Sequence, residues 1–241
     1  MATVLKISSD RRFASSLQYI KRRLVAVKNT SCSLGEEKNR TVLTVENYNP
    51  STVIDALADV VVTDCKAHYI QSRLRLPIEG EINRAAFIKA LSTFDLETDK
   101  IIAKSLIRLT PNFLIDSFYE FMTDDLKVRW QEVCILANEN ICYLICGHTF
   151  AELLRFLISN IESLSDEAHL FFKKNGVEVL GKSLRPFKNI YINESLPHDV
   201  QVVTKLVAIA PKRIFVHDAK STDRALINNI QNLFGGCVVI S

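Results

Sequence analysis

The stretch 199–241 constrains the fold most, because helical and strand patterns alternate along it. Apolar residues recur at helical spacing over 202–209, and the Ala210-Pro211 step predicts the end of that helix, since proline disfavours the α conformation in the residue before it. The run Arg213–His217 is short, apolar and partly β-branched, which is typical of a strand covered on both faces. The pattern therefore predicts a helix followed by a buried strand.

A second helix and a second strand are predicted to close this stretch. Asp218 and Asp223 are typical of a turn and a helix N-cap, and an apolar stripe then extends to Phe234. The Gly235-Gly236 step indicates the end of the helix, and residues 237–240 are a final apolar run. A strand–helix–strand unit of this length most often makes two parallel strands with a right-handed crossover, so we expect a parallel pair here.

The rest of the chain adds strands near its start, helices in its middle and a hairpin before the C-terminal unit. The Asn175-Gly176 step between two apolar runs is a hairpin signal. Strands are predicted at 3–7, 32–34, 41–45 and 189–192, a hairpin at 169–180, and helices at 11–28 (capped by 8–10), 53–76, 83–94, 96–109, 113–138 and 142–163. Strands at both ends around a helical block predict an α/β or α+β fold.

Domain organisation is predicted to be a single compact unit over 1–241. With 7 Gly and 6 Pro, the chain shows no low-complexity linker. The ends also have too few strands to bury their faces alone. Within this unit we distinguish a β-α-β piece over 1–47, a helical region over 48–165 and an α/β region over 166–241.

Composition is that of an ordinary globular protein, with 48% hydrophobic and 24% charged residues. The formal net charge of +3 is too small to argue for nucleic acid by itself. No run approaches the roughly 20 apolar residues of a membrane span, and charged residues at 10–12 interrupt any signal-peptide pattern. We therefore expect a soluble, cytoplasmic protein whose 6 cysteines are reduced and mostly buried.

The first predicted helix carries the most basic run of the chain. An electrostatic footprint for nucleic acid or an acidic partner is one interpretation. A solvated face of an amphipathic helix is the other, and the small net charge favours it. The candidate nucleic-acid-binding residues are Arg11, Arg12, Lys21, Arg22 and Arg23.

A candidate ligand site lies at His217-Asp218, at the end of a predicted strand, where α/β proteins place ligands. Histidine acts as acid, base or ligand near neutral pH. Asp223 at the next helix start and Arg213 before the strand are predicted to complete a polar rim. Turn and capping chemistry is the alternative interpretation, and no glycine-rich phosphate loop follows the strand.

The group Cys142-x3-Cys146-x-His148 is the one set with ligand-like chemistry. On a continuous helix the two cysteines share a face, whereas His148 points elsewhere. A structural zinc site needs a second ligand pair, which the sequence lacks. Core cysteines are therefore preferred over a metal site or a Cys–His nucleophile, so we assign no metal, no cofactor and no catalytic residue.

Residues 206–217 (LVAIAPKRIFVH) carry a resemblance to a known family, followed in order by 229–235 and 238–240. A helix ending in an Ala-Pro step and an apolar strand closed by His resemble the YtxC-like sporulation proteins of endospore-forming Firmicutes. Met122 stands where that family tends to have an arginine. The resemblance implies a bacterial, sporulation-associated cytoplasmic protein and implies no activity.

Together these observations favour a non-enzymatic interaction or regulatory factor, because no catalytic motif is present. A protein partner is expected, with a second copy of the chain as a further partner. One alternative is nucleic-acid binding through the basic helix. Another is a nucleotide-binding protein or enzyme using His217 and Asp218.

Overall fold

The computed structural model describes residues 4–27, 29–75, 77–141, 148–173, 176–187, 190–218 and 224–240. The chain divides into two compact units. Unit 1 comprises Met1–Arg73 and Asp95–Glu132, and unit 2 comprises Leu74–Phe94 and Val133–Ser241. The predicted boundaries at 47 and 165 do not follow this division. The expectation that the whole chain acts as one unit stays a prediction.

Helices and strands alternate as the α/β prediction requires, which confirms the fold class. The described strands are β1 Val4–Ser9, β2 Ser31–Glu37, β3 Arg40–Glu46, β4 Asn112–Leu114, β5 Glu167–Lys173, β6 Gly176–Gly181, β7 Arg213–His217 and β8 Val238–Ile240. The described helices are α1 Ala14–Val25, α2 Pro50–Val60, α3 Lys66–Arg73, α4 Glu81–Ser92, α5 Leu96–Leu106, α6 Ile115–Met122, α7 Asp124–Ile141, α8 His148–Ser159, α9 His198–Ile209 and α10 Arg224–Phe234.

The sheet of unit 1 has the strand order β2-β3-β1-β4. Strand β3 is antiparallel to both β1 and β2, whereas β4 is parallel to β1. One face of the sheet is apolar and fully buried, with Leu5 and Ile7 from β1 and Leu43 and Val45 from β3. Helix α1 packs against β1, β2 and β3. This packing gives unit 1 its core.

The N-terminal helices of unit 1 begin where the sequence supplies capping groups. Asp10 caps a 3₁₀ turn, Arg11–Phe13, by accepting a hydrogen bond from the Arg12 backbone N–H, and α1 follows directly. Asn49 likewise accepts from the Ser51 N–H at the start of α2, with proline at the first helical position. A π-helical turn, Val61–Cys65, joins α2 to α3, so the helix predicted over 53–76 is continuous but irregular.

A buried ion pair occupies the helical part of unit 1. Lys66 Nζ lies 2.7 Å from Asp99 Oδ2, and both side chains are only 1% exposed. The indole N–H of Trp130 also donates to Asp99 Oδ2, at 2.9 Å, and Arg129 Nε donates to Oδ1 at 2.9 Å. Asp99 therefore holds α3, α5 and α7 together through three charge-assisted hydrogen bonds.

The sheet of unit 2 has the strand order β6-β5-β7-β8. Strands β5 and β6 form the predicted antiparallel hairpin, and β7 and β8 form the predicted parallel pair. Strand β5 is also parallel to β7. Helix α9 ends at Ile209, and its C-cap residue Ala210 adopts the left-handed conformation with φ of 46° directly before Pro211. These predictions for the C-terminal stretch are confirmed.

Some secondary-structure predictions differ from the structure. Residues 113 and 114, at the start of the helix predicted over 113–138, belong to β4 instead, and the remainder is divided between α6 and α7. The strand predicted at 32–34 is present but extends over the whole of β2, which pairs with the neighbouring β3. Residues 190–192 lie outside the strands, although a strand was predicted over 189–192. Strand β4 forms through its pairing with β1, which is distant in sequence, so no local pattern specifies it.

Candidate interaction face

One face of the sheet of unit 2 is buried at its two central strands. Ala168 and Leu170 of β5 and Ile214 and Val216 of β7 are all 0% exposed. The helices of this unit contact one another in a connected layer, with α4 against α8 and α9, and α8 against α10. The same layer contacts the sheet through α9 on β6 and α10 on β8. The helices therefore cover the apolar face.

The opposite face carries four partly exposed rings, His169 and Phe171 of β5 and Phe215 and His217 of β7. Side chains alternate along a strand, so residues two apart share a face. The register pairs His169 with Phe215 and Phe171 with His217, which places all four rings together. We call these four residues the aromatic–histidine face. The prediction that β7 is covered on both faces is therefore wrong.

The four rings are ordered by direct contact. Phe171 and His217 stack with centroids 4.5 Å apart and an interplanar angle of 16°. His169 and Phe215 stack at 5.0 Å and 14°. Between the two stacks, His169 Nδ1 lies 3.0 Å from His217 Nε2, within hydrogen-bond distance. One imidazole must donate its N–H while the other accepts, so the tautomers of the two histidines are coupled.

The charged groups around the aromatic–histidine face are paired with one another. Arg213 donates to Glu167, and its guanidinium carbon lies 5.8 Å from the centroid of Phe215. Lys173 forms an ion pair with Glu178 across the hairpin. Burial, and secondarily the neighbouring imidazole of His217, lowers the pKa of His169, while the nearby Glu167 opposes this shift. The face as a whole is apolar, and the charged side chains Arg213, Glu167, Lys173 and Glu178 at its edge form ion pairs with one another.

The structure separates the residues predicted to form a ligand site. His217 ends β7, and Asp218 follows it in the left-handed conformation with φ of 56° and an exposed side chain. Arg213 lies at the other end of the same strand, about 13 Å away at roughly 3.3 Å per residue. Asp223 lies outside the described residues. The structure brings His217 together with His169 rather than with Arg213, and the ligand role of these residues stays a prediction.

His169 begins the predicted hairpin 169–180, and no site role was predicted for it. A signal was present, because β5 reads His-x-Phe and β7 reads Phe-x-His at strand spacing. Each pattern puts one histidine and one phenylalanine on a single face. That the two patterns meet depends on the parallel pairing of β5 and β7, which no local pattern specifies.

Some cations of the predicted basic run make ion pairs within unit 1. Arg12 contacts both Asp10 and Glu120, at 2.9 and 2.6 Å. Arg23 lies 3.6 Å from Asp59, a carboxylate that also binds Lys100 at 2.5 Å. Arg11 and Arg22 are exposed and Lys21 is partly exposed. The run is therefore partly neutralised by carboxylates, although its nucleic-acid role stays a prediction.

A second polar group of unit 1 lies at the carboxyl ends of the parallel strands β1 and β4. Arg40 donates to Asp116, which also accepts from the Asp10 backbone N–H at 3.3 Å. Ser8 accepts from Arg40 Nε at 3.4 Å. Parallel strand ends are common ligand positions. Here the opposite charges bind each other, so the group is a closed structural network.

The cysteines that the structure describes are not joined in disulfide bonds. Cys65 and Cys134 are buried, and Cys32 and Cys237 are partly exposed. Cys142 and Cys146 lie outside the described residues, and of His148 only its place at the start of α8 is described. Over the part of the chain that the structure describes, no three His, Cys, Asp or Glu side chains converge as metal ligands.

Fold and face together define a class: an α/β protein of two compact units, each with a mixed four-stranded sheet. No family model, curated protein or solved structure matches the chain. The resemblance to YtxC-like proteins thus stays a prediction. Among the described residues, every helix is too short or too polar to traverse a lipid bilayer.

Proposed function

We propose that this protein is a non-enzymatic interaction factor that binds a partner protein through the aromatic–histidine face of unit 2. Following the resemblance carried by residues 206–217, we further propose that it acts in the cytoplasm during sporulation. The supporting observation is the chemical difference between the outer faces of the two sheets.

The two outer faces can be compared along one row of side chains that crosses all four strands. In unit 1 this row is polar and reads Ser33, Thr44, Lys6 and Asn112. In unit 2 the corresponding row is apolar and aromatic and reads Leu180, His169, Phe215 and Val239. A solvated sheet face normally carries polar residues, as this row of unit 1 does. Unit 2 departs from this rule.

Aromatic side chains that remain partly exposed on a sheet face are typical of protein-binding surfaces. Interface centres are enriched in aromatic residues and arginine and depleted of other charged residues. The aromatic–histidine face matches this composition, with Arg213 beside Phe215 and the rim charges already paired. Because the face has no excess of positive charge, its chemistry favours an apolar protein surface over a polyanion.

Nucleic-acid binding is the alternative function, through the basic run of unit 1. The carboxylates that contact Arg12 and Arg23 would have to be displaced by phosphates. Displacement would break the ion pairs that Arg12 makes with Asp10 and Glu120 and that Arg23 makes with Asp59, which weakens this alternative. It predicts a steep decrease of affinity with salt, because binding would release counterions from the nucleic acid.

The test is an affinity pull-down of the tagged full-length protein from sporulating cells, with and without nuclease. The test variant is Phe171→Ala/Phe215→Ala. Phe156→Ala is the matched control, because Phe156 belongs to the same unit, is 64% exposed and lies on α8 outside the face. Circular dichroism of each variant establishes that it is folded.

The proposal predicts that one defined protein is recovered by the wild type and by Phe156→Ala, with or without nuclease. Recovery should fall at least about tenfold for the double variant, since truncated interface aromatics commonly cost more than 1–2 kcal/mol. Equal recovery by all three folded proteins would refute the role of the face. Recovery that is lost on nuclease treatment would support the nucleic-acid alternative instead.

A further inference from the structure

The two imidazoles of the aromatic–histidine face converge from different strands of one sheet. His169 Nδ1 and His217 Nε2 are 3.0 Å apart. Each ring is stacked on a phenylalanine, His169 on Phe215 and His217 on Phe171. The pair is therefore held by the parallel β5–β7 pairing and by ring packing.

This separation is close to the bite of a metal chelate. Two Zn–N bonds of about 2.05 Å at a tetrahedral angle place the two nitrogens about 3.3 Å apart. The observed separation of 3.0 Å differs from this by only a few tenths of an ångström. A tetrahedral ion would lie about 35° off the line between the two nitrogens, so both rings must turn about their Cβ–Cγ bonds to face it, which needs no change in the backbone register.

We infer that His169 and His217 form a two-histidine chelate for a divalent transition metal such as Zn²⁺, Ni²⁺ or Cu²⁺. Imidazole nitrogens suit these ions, whereas Mg²⁺ and Ca²⁺ prefer oxygen ligands. Binding replaces the hydrogen bond between the rings. The nitrogen that donated the hydrogen bond loses its proton to solvent while the other nitrogen of the same ring takes one up, so both imidazoles stay neutral and each gives one lone pair to the ion.

The chelate keeps coordination positions open. Over the residues that the structure describes, no third His, Cys, Asp or Glu side chain joins the pair. Of the carboxylates on β5 and β6, Glu167 is held by Arg213 and Glu178 by Lys173. Water, or a donor atom from a bound molecule, therefore completes the coordination sphere, as in metal sites that are not purely structural.

The site requires the folded protein, because the two histidines are 48 residues apart in sequence. Since the unfolded chain lacks the chelate, metal binding should raise the unfolding temperature in proportion to the logarithm of the free metal concentration. This inference concerns the isolated protein and does not depend on the proposed partner. Its failure would leave the proposed function as it stands.

The experiment is a thermal-unfolding titration of the purified full-length protein with ZnCl₂ or NiCl₂, against EDTA and MgCl₂. The variants are His169→Gln and His217→Gln. His198→Gln is the matched control, because His198 belongs to the same unit and its imidazole bonds to the Val177 N–H instead of another histidine. Unfolding in EDTA establishes that each variant is folded before metal is added.

We expect Zn²⁺ and Ni²⁺, but not Mg²⁺, to stabilise the wild type and His198→Gln. Either pair variant should weaken binding at least about tenfold, since even outer-shell changes at metal sites cost 10- to 100-fold. Absence of a metal shift in the wild type would overturn the inference. So would an equal shift in the pair variants, which would assign binding to other groups such as the partly exposed thiols.

A second measurement does not depend on the variants folding. Electron paramagnetic resonance of the wild type with one equivalent of Cu²⁺ reports the number of coordinated nitrogens. The chelate predicts two equivalent imidazole nitrogens. A spectrum with sulfur ligation, or one identical to that of aqueous Cu²⁺, would overturn the assignment.

Discussion

Replacing Asp99 by asparagine should destabilise unit 1 severely. The substitution keeps the size of the side chain and one carbonyl oxygen for Trp130, but it removes the charge that faces Lys66. The Lys66 ammonium is 1% exposed and would then be buried without a counter-ion. Removing one partner of a buried pair typically costs about 3–5 kcal/mol, because the remaining charge is uncompensated.

The loss of stability in Asp99→Asn should depend on pH, because it arises from the buried charge of Lys66. Burial already lowers the pKa of Lys66 below its ordinary 10.5, and Asp99 opposes that shift. In Asp99→Asn the opposing carboxylate is gone, so we expect a still lower pKa. Between this folded-state pKa and 10.5 the native state binds fewer protons than the unfolded state, so the unfolding free energy rises with pH. The deficit should therefore shrink from about pH 7 to about pH 9.5.

The assay is urea unfolding followed by fluorescence of Trp130, the one tryptophan of the chain. Its indole binds Asp99 directly, so the signal reports on this cluster. Lys66→Met/Asp99→Asn should recover much of the loss and abolish its pH dependence, because it removes the buried charge. A deficit for Asp99→Asn below about 1 kcal/mol, or one that does not change with pH, would refute the reasoning.

Three further changes test local features. Leu184→Gly should stabilise unit 2 by about 1 kcal/mol in thermal unfolding, because Leu184 has φ of 53° and is 53% exposed; a decrease in stability would contradict this. Ser16→Ala should destabilise unit 1 by about 1–3 kcal/mol in urea, since the buried Ser16 hydroxyl donates to Asp64; an unchanged midpoint would argue against that bond. Burial raises the pKa of Tyr119 from 10.0 to about 12. Because the folded protein holds the phenol proton more tightly than the unfolded chain, Tyr119 contributes its full stability below pH 10 and loses that contribution as the pH rises toward 12. The difference in phenolate absorbance between the wild type and Tyr119→Phe, followed as the pH rises, measures the ionisation of Tyr119. Ionisation of Tyr119 at the same pH as the exposed tyrosines would contradict the prediction.

The parts of the fold that local signals specify were predictable. The Ala210-Pro211 step ends α9, and the apolar run Arg213–His217 is β7. The hairpin and the parallel β7–β8 pair also follow from turn residues and from the connection rule for strand–helix–strand units. In these places one conformation satisfies both the propensity of the residues and their burial.

The parts that depend on distant pairing were not predictable. Strand β4 has three residues, too few to show alternation, and it exists because β1 offers it a parallel edge. The assignment of Leu74–Phe94 to unit 2 and Asp95–Glu132 to unit 1 depends on tertiary contacts that leave no local signal. The His169–His217 contact has the same origin, since a slip of one residue between β5 and β7 would separate the rings.

The most direct test of the account is site-specific photo-crosslinking in sporulating cells. A photoreactive benzoylphenylalanine replaces Phe215 on the aromatic–histidine face, or Phe156 on α8 as the exposed control in the same unit. Partner binding through this face predicts one adduct of defined mass from position 215 and none from position 156. No adduct at position 215, or the same adducts from both positions, would contradict the claim that unit 2 binds a protein through this face.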